Sequence, residues 1–159
     1  MSFSTQVKDD LTRVISSKPC CRRAEFIAFF LINGNIRIGN GRRLSFFMQT
    51  EHSASVRKMF TLAREFSLER EITVHRRAQL HKNQVFTLNV PPQEQLTHFL
   101  QQLGMVDENE ALRLVFPEQI HEQFLASSCC RRAYLRGAFL ASGSTVSYTH
   151  LTLPTNSRV

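Results

Sequence analysis

The sequence predicts an α+β protein: an αββαββα unit followed by the first helix of a second, incomplete repeat. Two observations carry this. A seventeen-residue segment occurs twice, and the apolar residues between the copies switch between a strand period and a helix period. Residues 20–36 read CCRRAEFIAFFLINGNI and residues 129–145 read CCRRAYLRGAFLASGST. Eight of the seventeen aligned positions are identical, where chance gives about one. The offset of 109 residues is too long for a solenoid and suits a duplicated domain with a pseudo-two-fold axis.

The elements follow in order. Residues 1–18 hold an N-terminal helix, with Ser4 as its cap and Ile15 near its end. The first repeat, residues 20–128, opens with a helix that stops at Gly34, expected in the left-handed conformation of a helix C-terminus. Ala24 and Ala28 in this helix, and Ala133, Gly137 and Ala141 in its copy, recur every fourth position. Each set lines a stripe that lets two backbones approach closely, so the copies are expected to pack together at the centre. Residues 35–39 and 43–50 read as a hairpin, with Ile36, Ile38, Leu44, Phe46 and Met48 inward and a type I′ turn at Asn40-Gly41. A helix from Ser53 to Phe66 buries Val56, Met59, Phe60, Ala63 and Phe66. A second hairpin pairs residues 70–77 with 84–90 around His81-Lys82-Asn83. Pro91-Pro92 then open a helix with Leu96, Phe99, Leu100 and Leu103 inward and Gly104 as its stop. Pro117 starts a short helix before the second copy, residues 129–145.

Bulk properties narrow the function. Of the 159 residues 42% are hydrophobic and 21% charged, which is globular composition. The net charge of +7 suits nucleic acid, an acidic protein or a membrane surface as partner. The longest apolar run, Phe26 to Ile32, is far short of the roughly 20 residues a membrane span needs. Met1 to Asp10 lacks a signal-peptide pattern, so a cytoplasmic protein is expected.

The four cysteines form two adjacent pairs, Cys20-Cys21 and Cys129-Cys130. Neighbours on a helix point about 100° apart, so one pair alone is a poor zinc site. The leading reading is small buried residues in a reducing compartment, with no metal and no cofactor. A four-cysteine site joining both pairs is the alternative.

A glycine-ended helix feeding two hairpins and two helices, then repeated, resembles the LAGLIDADG homing endonucleases. FIAFFLING, Phe26 to Gly34, lies on the first motif and LRGAFLASG, Leu135 to Gly143, on the second. Within that superfamily the doubled CCRRA, the segment YLRGAFLASGS and the opening MSFS resemble the WhiA family over residues 1 to about 145. The resemblance implies a bacterial regulator of sporulation and cell division that pairs this domain with a C-terminal helix-turn-helix, and it makes this chain an N-terminal fragment. Residues 146–159, VSYTHLTLPTNSRV, depart from the family and read as a non-native tail, like translated adapter sequence.

In active LAGLIDADG enzymes the acid before each motif's last glycine holds the divalent metal. The corresponding residues here are Asn33 and Ser142, an amide and a hydroxyl, so cleavage is not expected. The histidines lack metal-site spacing, and the acidic run Asp107, Glu108 and Glu110 reads as a solvated turn.

DNA binding is the leading function. Strand residues facing away from the core are Asn35, Arg37, Arg43, Ser45, Phe47 and Gln49 from the first hairpin, and Glu71, Thr73, His75, Arg77, Thr87 and Asn89 from the second. In LAGLIDADG enzymes this face lies along the major groove, where Arg suits guanine and Asn or Gln suits adenine. The expected DNA contacts are Asn35, Arg37, Arg43, Ser45, Gln49, Thr73, His75, Arg77 and Asn89, with Arg42, Arg76 and Lys82 near hairpin ends beside the backbone. The competing class is an interaction module that docks on RNA polymerase or division proteins without touching DNA. Arg22, Arg23, Arg131 and Arg132 oppose the macrodipole at two helix starts, which points either to structural salt bridges, with Glu25 or Asp107–Glu110 as partners and the favoured reading, or to an anion contact.

Overall fold

The computed structural model describes residues 3–76, 84–109, 111–113 and 117–142. The elements are α1 (Phe3–Thr12), α2 (Pro19–Asn33), β1 (Gly34–Ile38), β2 (Leu44–Thr50), α3 (Ser53–Leu62, continued by a 3-10 turn Ala63–Phe66), β3 (Glu71–Arg76), β4 (Gln84–Val90), α4 (Glu94–Gln102), α5 (Pro117–Phe124) and α6 (Ser128–Ser142). The expected order αββαββα runs from α2 through α4, with α5 and α6 after it.

The four strands form one antiparallel sheet in the order β1-β2-β4-β3. Register places Phe46 opposite Val90 and Met48 opposite Leu88, so one face presents Leu44, Phe46, Met48, Leu88 and Val90 to the helices. Phe30 of α2 is the hub of the junction: its ring centroid lies 4.7 Å from that of Phe46 on β2 and 5.1 Å from that of Phe99 on α4. Edge-on ring pairs of this kind add to plain area burial. Leu96, Phe99, Leu100 and Leu103 are all buried, and Gly104 (φ 75°) terminates α4 with Met105 N–H donating to the Leu100 carbonyl, as its pattern predicts.

Helices α2 and α6, the two copies of the repeat, pack in parallel. Their small residues make the contact: Ala24 and Ala133 are buried together, and Gly137 sits against the backbone of Glu25 and the side chain of Ala28. At the C-terminal ends Asn33 Nδ2 donates to the Ala141 carbonyl at 3.1 Å. Among the described residues no helix is long and apolar enough to cross a membrane.

Several expectations are corrected. Gly34 is extended (φ −77°, ψ 141°) rather than left-handed. What excludes a side chain there is space, because a Cβ would run into the carbonyl and ring of Phe30. Gly143 lies outside the described residues. In the first hairpin the left-handed positions are Gly41 (φ 70°) and Arg42 (φ 63°), one residue later than a type I′ turn at Asn40-Gly41 requires. Gly39 N–H bonds the Arg43 carbonyl, so the loop holds three residues rather than two. Helix α1 starts before Ser4, which is therefore not its cap, and ends at Thr12 rather than Ile15. Its C-terminal carbonyls find a tertiary partner, as Lys58 Nζ on α3 donates to Leu11 O at 3.0 Å and Val14 O at 2.5 Å. Leu140 on α6 is fully buried, while Leu135 on α6 and Ile32 on α2 are exposed. The His81-Lys82-Asn83 turn and the tail at residues 146–159 lie outside the described residues.

Candidate functional site: an open sheet face and a thiol cluster

The sheet face turned away from the helices carries the residues expected to meet DNA. Antiparallel register sets Arg37 beside Ser45, Asn35 beside Phe47, Phe47 beside Asn89, and Gln49 beside Thr87, with Thr73 beyond it. Asn35, Arg37 and Gln49 are exposed, as is His75 on β3. Ser45, Thr73 and Asn89 are partly exposed. Several of these groups are held by neighbours. The Arg37 guanidinium lies 4.0 Å from the centre of the Phe47 ring, a cation–π contact that keeps the charge near the middle of the face. Asn89 Nδ2 donates to Thr73 Oγ1 at 3.0 Å, and Gln49 Nε2 to Thr87 Oγ1 at 3.4 Å. Each bond engages an amide nitrogen, and an amide oxygen is an acceptor of the kind a base-edge donor needs.

Not every expected residue shares this face. Thr87 has the outward register but is buried beneath its neighbours on the central strand. Arg43 lies at the hairpin end and lines a cleft with Glu94 and His98 of α4, beside Arg42. Arg76 is exposed at the end of β3, on the opposite parity to Thr73 and His75. Arg77 and Lys82 lie outside the described residues.

The positions that bear metal-binding acids in LAGLIDADG nucleases do something else here. Asn33 bridges α2 to α6 through its amide, and Ser142 is exposed at the end of α6. Neither side chain supplies a charged oxygen for a hard cation.

The opposite end of the same helix pair holds a group that sequence reading rated low. Because α2 and α6 are parallel, their first turns meet, and the Sγ atoms of Cys20, Cys21, Cys129 and Cys130 all lie within 4.8 Å of one another. Cys21 and Cys130 are buried and Cys129 is half-buried, while Cys20 is exposed, so the reading of four buried structural cysteines fails for two of them. A hydrogen bond with Ser127 Oγ at 3.2 Å, a second from Cys21, and Lys18 Nζ at 3.9 Å lower the Cys129 thiol to about 6. Burial, with the neighbouring thiols, raises Cys21 to about 11. The signal in the sequence was the doubled Cys-Cys at matching positions, and only the parallel packing turns it into a cluster.

The arginines that follow each cysteine pair are anchors, though not to the expected acids. Arg22 Nε donates to Glu65 at 2.8 Å and its Nη1 to the Ser16 carbonyl at 2.8 Å. Arg131 caps the Leu125 and Ala126 carbonyls at 3.1 and 3.2 Å. Glu25 instead pairs with Lys58 and Arg136, and Asp107 accepts from the Asn109 and Ala111 amides of its own turn.

The comparisons with known proteins agree with this architecture. The sequence profile of the WhiA N-terminal LAGLIDADG-like domain matches residues 19–106. "Probable cell division protein WhiA" of Desulforamulus reducens is 40% identical over 146 residues, covering 91% of this chain and 44% of that protein. Its namesake in Heliobacterium modesticaldum is 36% identical over 160 residues, covering 98% and 49%. The chain thus spans less than half the length of these curated relatives. Two crystal structures share the fold. One is full-length DUF199/WhiA from Thermatoga maritima (TM-score 0.56, 17% identity, 88% of this chain and 39% of that one). The other is the N-terminal LAGLIDADG domain of DUF199/WhiA (TM-score 0.58, 16% identity, 88% and 58%). A doubled helix core, a four-stranded sheet in the order β1-β2-β4-β3 and a profile match over most of that unit place the chain in the family of WhiA N-terminal LAGLIDADG-like domains.

Proposed function

We propose that the chain is the DNA-contacting, non-catalytic part of a regulator acting in bacterial cell division and sporulation, working in the cytoplasm at the nucleoid. The observation that carries this reading is the sheet face where Arg37, Ser45, Gln49 and Asn89 stand in adjacent registers, with no helix over them among the described residues. Each hairpin is a two-stranded ribbon, a shape the major groove admits, and these residue types read base edges and phosphates there. The net charge of +7 supplies attraction to the backbone. Asn33 and Ser142 in place of two acids support binding without cleavage.

The test is fluorescence anisotropy with duplex DNA at several salt concentrations. Three or four phosphate contacts predict a fall in affinity of roughly 40- to 150-fold between 50 and 200 mM salt. Affinity that stays flat with salt, or no binding at low salt, would reject the reading. Exposed Leu135 (67%) and Ile32 (45%) favour a second reading, docking of a protein of the transcription or division machinery on apolar surface of the helix pair. Salt-insensitive capture of RNA polymerase by the chain would support it.

A further inference from the structure

We propose that Cys20, Cys21, Cys129 and Cys130 hold one zinc ion in a tetrahedral four-thiolate site that joins the N-termini of α2 and α6. The inference stands on the thiol geometry and is independent of the DNA reading.

Size comes first. Zinc–sulfur bonds of about 2.3 Å put the corners of a tetrahedron roughly 3.8 Å apart. The four Sγ atoms lie within 4.8 Å of one another, so the widest edge is at most about 1 Å longer than a tetrahedral zinc site needs. An iron–sulfur cube bridges its cysteines through several atoms and needs a wider cage. Disulfides would join these thiols two at a time across the helices, whereas a single zinc ion takes all four at once.

Topology explains why adjacent cysteines suffice. Two neighbours on one helix diverge, but each helix here faces the other, so two divergent pairs make four corners. Each repeat contributes two ligands at equivalent positions, which is the symmetry of a duplicated domain.

Charge is the third argument. Binding releases the thiol protons, and zinc with four thiolates carries a net charge of −2. Two helix N-termini with aligned dipoles point at this spot, where they would otherwise repel one another. Lys18 Nζ is 3.9 Å from Cys129 Sγ. Ser127 Oγ supports the site from two sides, bonding Cys129 Sγ and accepting from Cys130 N–H at 3.3 Å. Cys20, exposed, marks the route by which the ion enters.

The full chain, grown with zinc and purified under reducing conditions, is expected to carry about one zinc by plasma mass spectrometry. The Cys20→Ser/Cys129→Ser double variant alters the two more accessible thiols and is expected to retain under a tenth of it, with its circular dichroism checked for folding. Should that variant fail to fold, cobalt titration of the unaltered chain decides instead. Tetrahedral cobalt absorption with thiolate charge transfer is expected, and Cys20→His is expected to keep one ion while losing about a quarter of the charge-transfer intensity. Zinc below a tenth per chain, iron in its place, a disulfide among these cysteines in protein purified without oxidant, or a cobalt spectrum with fewer than four thiolates would each overturn the proposal.

Discussion

Arg136 of α6 donates from Nε to Oε1 of Glu25 on α2 at 3.0 Å, and the carboxylate it reaches is 1% exposed. The other oxygen of Glu25 lies 2.5 Å from Lys58 Nζ, which in turn closes the end of α1. One carboxylate therefore ties three helices together and a fourth through its partner. Desolvation lowers the Lys58 pKa despite the carboxylate beside it. Glu25→Ala leaves two cations facing a buried gap, and a loss of about 3–5 kcal/mol in urea unfolding is expected. Lys58→Met leaves the Glu25–Arg136 pair intact, so its loss should be smaller. Equal losses would show that the charge network is not what stabilises this junction.

Gly137 offers a test of the close helix contact. On an exposed helix, glycine to alanine gains about 1 kcal/mol. Here the new methyl would strike the Glu25 backbone carbonyl, which has no rotamer to escape into. Gly137→Ala is expected to destabilise by roughly 1–3 kcal/mol, as overpacking does. Gly41→Ala meets open space but sits at φ 70°, so about 1 kcal/mol of backbone strain is expected there instead. A stabilised Gly137→Ala protein would mean the helices have room to part.

Arg37 is the sheet residue whose removal should matter most for DNA. Its guanidinium is exposed and already oriented over Phe47. Arg37→Glu is expected to weaken binding at least tenfold and flatten the salt dependence by about one phosphate contact, with unchanged thermal unfolding. Unaltered affinity would remove Arg37 from the interface.

Asn33 should resist a return to acid. Asn33→Asp replaces the amide donor on the Ala141 carbonyl with an acceptor, so a cost of about 1–3 kcal/mol is expected in thermal or urea unfolding. Asn33→Asp/Ser142→Asp restores both carboxylates. The original chain is expected to leave supercoiled plasmid intact in magnesium; nicking by it would reinstate a nuclease.

Much of this was legible in the sequence because it is local or repeated. Alternation from Leu44 to Thr50 announced β2, and the spacing of Leu96, Phe99, Leu100 and Leu103 announced α4 with its glycine stop. The repeat announced that α2 and α6 pair. What stayed hidden depends on tertiary direction. Nothing local says that the two helices run parallel, and without that Cys20 and Cys129 have no reason to meet. Lys58 reads as a solvated helix residue until α1 ends against it. Thr87 reads as outward by parity, yet on a central strand its neighbours cover it. Gly34 reads as a left-handed stop, because sequence marks where glycine is needed and not whether φ or space requires it.

The meeting of the two thiol pairs also sets an order of events during synthesis. The first pair leaves the ribosome 109 residues before its counterpart, a delay of roughly 5–20 s at ordinary elongation rates. During that interval the nascent sheet can pair, but half a cage is all that exists. Arrival of the second pair closes a loop of 109 residues, at an entropic cost of about 4 kcal/mol that grows only slowly with loop length. The contact between α2 and α6 is therefore completed only after all four strands of the sheet have been synthesised.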